Sequence, residues 1–408
     1  MNNDEAFELI TRHVSAAKAR AFRDAGLRVV QGSRDGVRIR DLDGNTYINC
    51  RSSGGVYDFG HRPRFAIDAL HAALDELGDM GDWLVPSLVR AEAAEALAGI
   101  LPGDLRYTFF TPSGAEAVEV ALKLARGVTG RPGIVGAEHG YHGHVGFSLA
   151  LDEDDASHWF RPLVPGVTKV PFGDAAALDA AVTDQTAAVC MESIPATAGY
   201  LLPPDDFWPR ARAVCDERGA LLVMDEVQAG LGRTGRIWAC EHWGVVPDIL
   251  VAGKGLSGGV YPIAACSFNE RVDAFFGQDP FFHPSSYSGS ELGCRVVQAV
   301  VERVRDPSLL ANVRARAEQI DAGLDELCRE FPAVLAGHWG LGLMQALETH
   351  SGALTFDLML QAIGHGVLAI WANNRQTVLQ VMPPLVITAE EVDEVLAGLR
   401  KAVEQVHA

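Results

Sequence analysis

Ala220-Leu-Leu-Val-Met-Asp225-Glu226-Val227-Gln228 leads into Gly230-Leu-Gly232-Arg-Thr-Gly235, and Asp248-Ile-Leu-Val-Ala-Gly-Lys254-Gly-Leu-Ser-Gly-Gly259 follows. Two apolar runs, each the length of a buried parallel strand, end one in an acid and the other in a lysine. In open α/β sheets ligands gather at the carboxyl ends of strands, so Asp225 and Lys254 are expected to face one pocket. An acid and a lysine amid glycines suit pyridoxal 5′-phosphate. The lysine forms a Schiff base with the aldehyde, and the carboxylate keeps the pyridinium nitrogen protonated so that the ring accepts electrons. Such a site also needs a phosphate cradle and a group that stacks on the ring.

Tyr107-Thr-Phe-Phe-Thr111 reads as a strand, and Pro112-Ser113-Gly114-Ala115-Glu116 opens a helix. Ser113 with Glu116 has the spacing of a capping box, and Val118, Ala121, Leu122 and Ala125 form the apolar face behind it. This turn aims free backbone N–H groups and a helix dipole at one point, which makes an anion site. Gly114 and Ala115 are small enough for a phosphate to touch the backbone. No Gly-Lys-Ser/Thr follows, so this is not a Walker loop. Taken alone, an ordinary capped helix explains the segment as well.

Further on comes Glu138-His-Gly-Tyr141-His142-Gly143-His144. The histidines invite a metal reading, but no further acid or cysteine has ligand spacing. We read Tyr141 as an aromatic platform, with Gly143 allowing a close turn. The strand Ala187–Glu192 ends in an acid, and the Pro- and Gly-rich loop Ser193–Pro204 is placed to shape a substrate pocket. Ser52–Pro63 is a glycine-rich loop that either approaches a ligand or connects two domains. Trp83, in Met80-Gly-Asp-Trp83, suits a substrate pocket or an interface. The hydroxyls of His283-Pro-Ser-Ser286 suit a phosphate contact or a set of turns.

Elsewhere, apolar spacing predicts helices over 4–25, 63–78, 87–101, 207–217, 291–305, 309–331, 356–365 and from Ala389 onward. A hairpin is expected over 37–49, turning at Asp43-Gly44, with strands at 132–137, 262–268, 340–348, 367–371 and 377–381. Residues 152–159 read as a surface loop, and Asp306-Pro307 as a boundary before a smaller α+β unit. The chain has 408 residues, 48% of them hydrophobic, enough for a sizeable core in two domains. A net charge of −19 disfavours nucleic acid and anionic membrane as partners. Seven scattered cysteines without Cys-x-x-Cys spacing read as reduced thiols. The N-terminus carries no basic-then-apolar signal, so a cytoplasmic protein is expected.

With cradle, platform, acid and lysine all at strand ends, the sequence resembles the class III PLP-dependent aminotransferases. That family includes ornithine and GABA aminotransferases and glutamate-1-semialdehyde aminomutase. Met224-Asp-Glu-Val-Gln-Ala-Gly-Leu-Gly-Arg-Thr-Gly235 and Pro247-Asp-Ile-Leu-Val-Ala-Gly-Lys-Gly-Leu-Ser-Gly-Gly259 carry the resemblance most specifically. Ser113-Gly-Ala-Glu-Ala117, Tyr141-His-Gly-His144 and Met382-Pro-Pro-Leu385 support it. It implies fold type I: a large domain at 59–305 with a mainly parallel sheet between helices, a small α+β domain at 306–408, and an N-terminal segment, 1–58, packed with the small domain.

By the same resemblance Lys254 carries the Schiff base and Asp225 pairs with the pyridine nitrogen. Val227 and Tyr141 cover the two ring faces, Gln228 lies near the phenolic oxygen, and Ser113, Gly114 and Ala115 hold the phosphate. Glu192 matches an acid close to the cofactor. Ser286 matches a residue that reaches the phosphate of the neighbouring subunit, implying a homodimer with its site at the interface.

Where the ornithine and GABA enzymes pair a Glu with an Arg before Pro-Pro, Thr197 and Gln380 align, so both charges are absent together. A neutral pair cannot grip an α-carboxylate bidentately, so either it is held elsewhere, with Arg375 as one substitute, or the main substrate is unlike the usual ones. The expected reaction is transfer of an amino group between an amine or amino acid and a keto acid or aldehyde. Alternatives are a racemase, epimerase, decarboxylase or aminomutase of the same family. Gly230-x-Gly232-x-x-Gly235 weakly suggests a dinucleotide oxidoreductase. A non-catalytic regulator with the same fold lacks any attached DNA-binding segment.

Overall fold

The computed structural model describes residues 1–152 and 158–407. Among these, seven strands form one sheet in the order Tyr107–Thr111, Ala264–Phe268, Ile249–Ala252, Leu221–Asp225, Thr186–Glu192, Gly133–Ala137 and Val167–Val170. Neighbours from Ile249–Ala252 through Val167–Val170 run parallel, and Ala264–Phe268 is antiparallel to both strands beside it. Every residue of the three central strands is buried, which explains their unbroken apolar runs: helices cover both faces. Leu221 and Val223 pack with Val118 and Leu122 of the helix Gly114–Thr129. Leu222 and Met224 face Phe207, Ala211 and Val214 of the helix Phe207–Arg218. That alternation is the two-residue period of a strand sandwiched between helices.

A smaller sheet, Leu335–Leu341, Met344–Thr349, Arg375–Val381 and Ile370–Ala372, follows Asp306. Asp306 ends one helix and caps the next, accepting the Ser308 N–H at 2.9 Å, with Pro307 in the first turn. A third sheet joins Gln31–Asp35, Arg38–Asp41 and Thr46–Asn49 to Val367–Leu368.

Several expectations are corrected. The N-terminal helix is two helices, Asn3–His13 and Ala16–Asp24, because Ser15 accepts the Lys18 N–H and starts a second one. The single strand expected over 340–348 is the end of one strand, a turn at Gly342 (φ +60°) and the start of its hairpin partner. The run Val367–Trp371 divides, Val367–Leu368 pairing with Thr46–Asn49 while Ile370–Ala372 pairs with Arg375–Val381. Ser113 caps its helix, but Glu116 turns to His283 (3.1 Å) and leaves the box half made. Of the loop expected over 152–159, residues 153–157 lie outside the described residues, and Asp152 itself is buried. Gly230–Gly235 forms turns followed by the short 3-10 helix Ala239–Trp243, so no dinucleotide-type α-helix opens there.

Candidate active site

Parallel register sets Glu192 beside Asp225, and Asp225 beside Val251, at the carboxyl edge of the sheet. Two residues past its strand, Lys254 adopts φ +44°, a left-handed backbone that a non-glycine residue adopts at a cost of about 1–3 kcal/mol. Its side chain is half-buried. Burial pushes its pKa down against the opposing charges of Asp225, Glu192 and Asp58. A cavity of about 180 Å³ joins Lys254 to Gly114, Ala115, Tyr141, Gly143, Asp225 and Val227.

Asp225 is held from two sides. His142 Nδ1 lies 2.7 Å from Oδ2, and the Val227 N–H donates to Oδ1 at 3.0 Å. Burial lowers the His142 pKa, but the hydrogen bond to Asp225 and the nearby acids outweigh it, so the net shift is upward. The other ring nitrogen, Nε2, is buried without a hydrogen bond to any described residue. Glu192 clamps two loops, accepting the N–H groups of Tyr141 (2.9 Å) and Ala196 (3.0 Å), while burial raises its pKa to about 7. Gln228 Nε2 donates to the Gly54 carbonyl at 2.7 Å.

At the cradle, a Cβ on Gly143 (φ +111°) would lie 2.4 Å from the Ala115 Cβ, and one on Gly114 would lie 3.1 Å from Val227. Only glycine leaves that space open. Ser113 accepts the Glu116 N–H as a cap and does not line the cavity.

A second cavity of about 350 Å³ shares Tyr141, Gln228 and Lys254 with the first, and takes in Thr197 and Gln380. These two do not face each other as a gate. Gln380 Nε2 donates to the Ala196 carbonyl at 2.7 Å, and Thr197 Oγ1 to the His139 carbonyl at 3.3 Å. Asn374 Nδ2 donates to both Thr197 Oγ1 (3.0 Å) and the His139 carbonyl (3.1 Å). Arg375, the expected substitute cation, is engaged elsewhere: it pairs with Glu348 at 2.7 Å and lies over the Trp339 ring.

Trp83 and Ser286 lie outside the cleft of their own chain. Trp83 lines a separate cavity with Arg90 and Phe109, and Ser286 is exposed. Sequence reasoning missed Arg51, Tyr200, Trp371 and Met382, all of which line the cleft, and missed the partner of His142. Only the His142 position carried a signal, a histidine between glycines beside a strand acid.

Comparison with known proteins agrees with this architecture. Residues 22–403 match the family described as Aminotransferase class-III. An uncharacterized aminotransferase of Archaeoglobus fulgidus is 46% identical over 402 residues, 98% of this chain and 94% of that protein. A putrescine aminotransferase of Pectobacterium atrosepticum is 34% identical over 90% of this chain and 80% of its own. The crystal structure of ornithine aminotransferase from Toxoplasma gondii superposes with a TM-score of 0.91 at 27% identity, covering 100% of this chain and 96% of that one. The fold and the strand-end lysine define a fold type I transferase. The chain belongs to the class III aminotransferases, which are transaminases with pyridoxal 5′-phosphate as cofactor.

Proposed function

We propose that the site residues divide the work of transamination as follows, with Lys254 and Asp225 lining one cavity as the observation that carries the reading. When bound, pyridoxal phosphate supplies an aldehyde carbon and an electron sink. The cavity fits it: glycines open the space at Gly114 and Gly143, Tyr141 and Val227 offer surfaces for a flat ring, and Gln228 lies beside Lys254. Gly114 and Ala115 present their N–H groups to the phosphate, and Ser113 fixes the helix end that aims them.

His142 and the Val227 N–H hold the Asp225 carboxylate still, and Asp225 would keep a proton on the pyridine nitrogen of the bound cofactor. Lys254, whose burial favours the neutral amine, would hold the cofactor through its aldehyde carbon and, when released, would move the proton at the donor carbon that bears the amine. Glu192 fixes the Tyr141 and Ala196 loops around the cleft, and the Thr197 and Gln380 side chains line its substrate end.

A homodimer is part of the same reading. Leu84, Val85, Leu88, Phe281 and Tyr287 are large apolar side chains left exposed, near Trp83 and Ser286 in sequence. Arg90 ties the two segments together through the carbonyls of Val85 (2.9 Å) and Gly289 (2.7 Å). Such a patch suits a partner subunit, to whose site Ser286 and Trp83 contribute. Among the described residues no helix is long and apolar enough to cross a membrane. We place the enzyme in the cytoplasm on its scattered thiols. We also divide it into 1–58, 59–305 and 306–408, the first segment joining the last through the Thr46–Asn49 and Val367–Leu368 strands.

Lys254→Ala tests the assignment. The variant is expected to fold, lose the lysine-dependent absorbance of the holoenzyme, and turn over no amine with pyruvate or 2-oxoglutarate. Multiple turnovers by that variant would sink it.

A further inference from the structure

We propose that Arg51 selects the amino donor: its guanidinium holds the acidic far end of an ω-amino acid and turns away a diamine of similar length. The inference rests on Lys254 receiving the donor's amine as described above.

The cleft has two distinguishable ends. Tyr141, Gln228 and Lys254 belong both to it and to the inner cavity, so they mark the end where the amine reacts. Arg51, Ser53 and Ile370 belong both to it and to a further, largely apolar cavity of about 590 Å³, so they mark the other end, where the cleft opens into that cavity. Arg51 is the one charged side chain besides Lys254 that lines this cleft among the described residues, and no carboxylate there ion-pairs with it. Its charge is felt inside the cleft: burial raises the Tyr200 phenol pKa, and Arg233 and, after it, Arg51 work against that rise.

The segment carrying Arg51 is pinned, although its guanidinium is left without an acid. Asn49 Oδ1 accepts the N–H groups of Arg51 (3.2 Å) and Ser52 (3.0 Å). The Cys50 carbonyl accepts the Met382 N–H (2.7 Å), and Ser52 Oγ donates to the Met382 carbonyl (2.8 Å). Ser52, Ser53, Gly54 and Gly55 then follow one another with φ of +46°, +48°, +68° and +102°. This left-handed curl brings Gly54 so close to the reacting end that a Cβ on it would lie 3.4 Å from Lys254 Cε. Strain of this kind persists where surrounding bonds hold it, as they do here.

An α-carboxylate would sit one bond from the reacting carbon. The polar groups lining the cleft apart from Arg51 and Lys254 are neutral, and the Thr197 and Gln380 donors are already given to backbone carbonyls. The free positive charge is at the other end, where the acid of a longer donor arrives and where a second ammonium is repelled. In the net exchange the donor's C–N bond gives way to C=O and the C=O of a keto acid or aldehyde acceptor gives way to C–N. Two electrons pass from the donor carbon, which is oxidised, to the acceptor carbon, which is reduced. The acceptor's oxygen is formally returned on the donor.

The test compares 5-aminopentanoate, pentylamine and putrescine with holoenzyme of the wild type, Arg51→Gln and Arg51→Glu. It follows each half-reaction by absorbance, and separately titrates glutarate against the same proteins by calorimetry. Wild type is expected to favour 5-aminopentanoate over pentylamine, and pentylamine over putrescine. In Arg51→Gln the ratio of kcat/KM for the amino acid over pentylamine should fall about tenfold, mainly through KM, with glutarate binding weakened alike. Arg51→Glu should invert the preference between amino acid and diamine. A wild type that prefers putrescine, an Arg51→Glu ratio equal to wild type, a loss shared equally by all three donors, or unchanged glutarate affinity each overturns the proposal. Inertness of the wild type to every amine would instead count against the role of Lys254, and the glutarate titration still judges Arg51.

Discussion

Replacing His142 by leucine removes one hydrogen bond from Asp225 and, because Nε2 makes none, no other bond of that ring to a protein atom. The donor–acceptor distance is 2.7 Å and both side chains are at most 5% exposed, so water cannot take the donor's place. A buried hydrogen bond to a charged group contributes about 1.5–3 kcal/mol. If the reaction draws on the full strength of that bond, kcat/KM falls about 10- to 150-fold. The pH profile supplies an independent check. The His142 pKa is raised in the folded protein, so its positive charge is present below the ordinary value of 6.5 and is lost as pH rises through the raised one. Any stability drawn from the charged pair disappears over the same interval. Wild-type kcat/KM should therefore decline as pH rises above 6.5 through the raised value, and the leucine variant should lack that decline. His142→Asn, which keeps a neutral donor, should recover part of the rate without restoring the pH dependence. A leucine variant within about twofold of wild type, with the same profile, would refute the coupling of His142 to Asp225.

Two other perturbations address the scaffold around the site. Asp58→Asn leaves the fully buried Arg233 guanidinium without the carboxylate that meets it at 2.5 Å. It should lower unfolding free energy by about 3–5 kcal/mol in urea with an unchanged slope, and a loss under about 1 kcal/mol would contradict this. Gly143→Ala forces a side chain into a φ of +111° and against Ala115. Strain of about 1–3 kcal/mol at that point should weaken cofactor retention about tenfold in equilibrium dialysis while leaving the fold intact, and undiminished retention would remove Gly143 from the cradle.

What could be read ahead of the structure was what local chemistry encodes. Leu221–Asp225 and Ile249–Ala252 announce themselves because a strand covered on both faces must be apolar at every position, and Asp225 and Lys254 stand out as the breaks in that pattern. The break in the N-terminal helix is marked by the single cap Ser15, and the turn of the hairpin after Gly340 by the single residue Gly342. In both places apolar spacing was weighed above a single capping or turn residue. His142 was weighed only against its neighbours as a metal ligand, whereas its partner is Asp225, brought alongside by the strand order of the sheet. Arg51 was passed over for the same reason. Nothing near it in sequence distinguishes a surface arginine from one at the end of a cleft, and the second wall of that cleft comes from residues 370–382.

The neutral pair is where alignment and geometry part. Aligned against a Glu–Arg gate, Thr197 and Gln380 invite the reading of two partners that have lost their charges together. In the fold each bonds a backbone carbonyl, Gln380 that of Ala196 beside Thr197, and Asn374 adds a second link between their segments, its N–H donating to the Thr197 carbonyl at 2.8 Å. A charged gate can be opened by a substrate that competes for one of its charges. A latch built of amide and hydroxyl bonds offers no such charge, so it holds the Ile194–Gly199 loop in the same way whether the entering molecule is acidic or basic. Discrimination by charge then has to come from the opposite wall, and among the residues lining the cleft Arg51 is the side chain able to provide it.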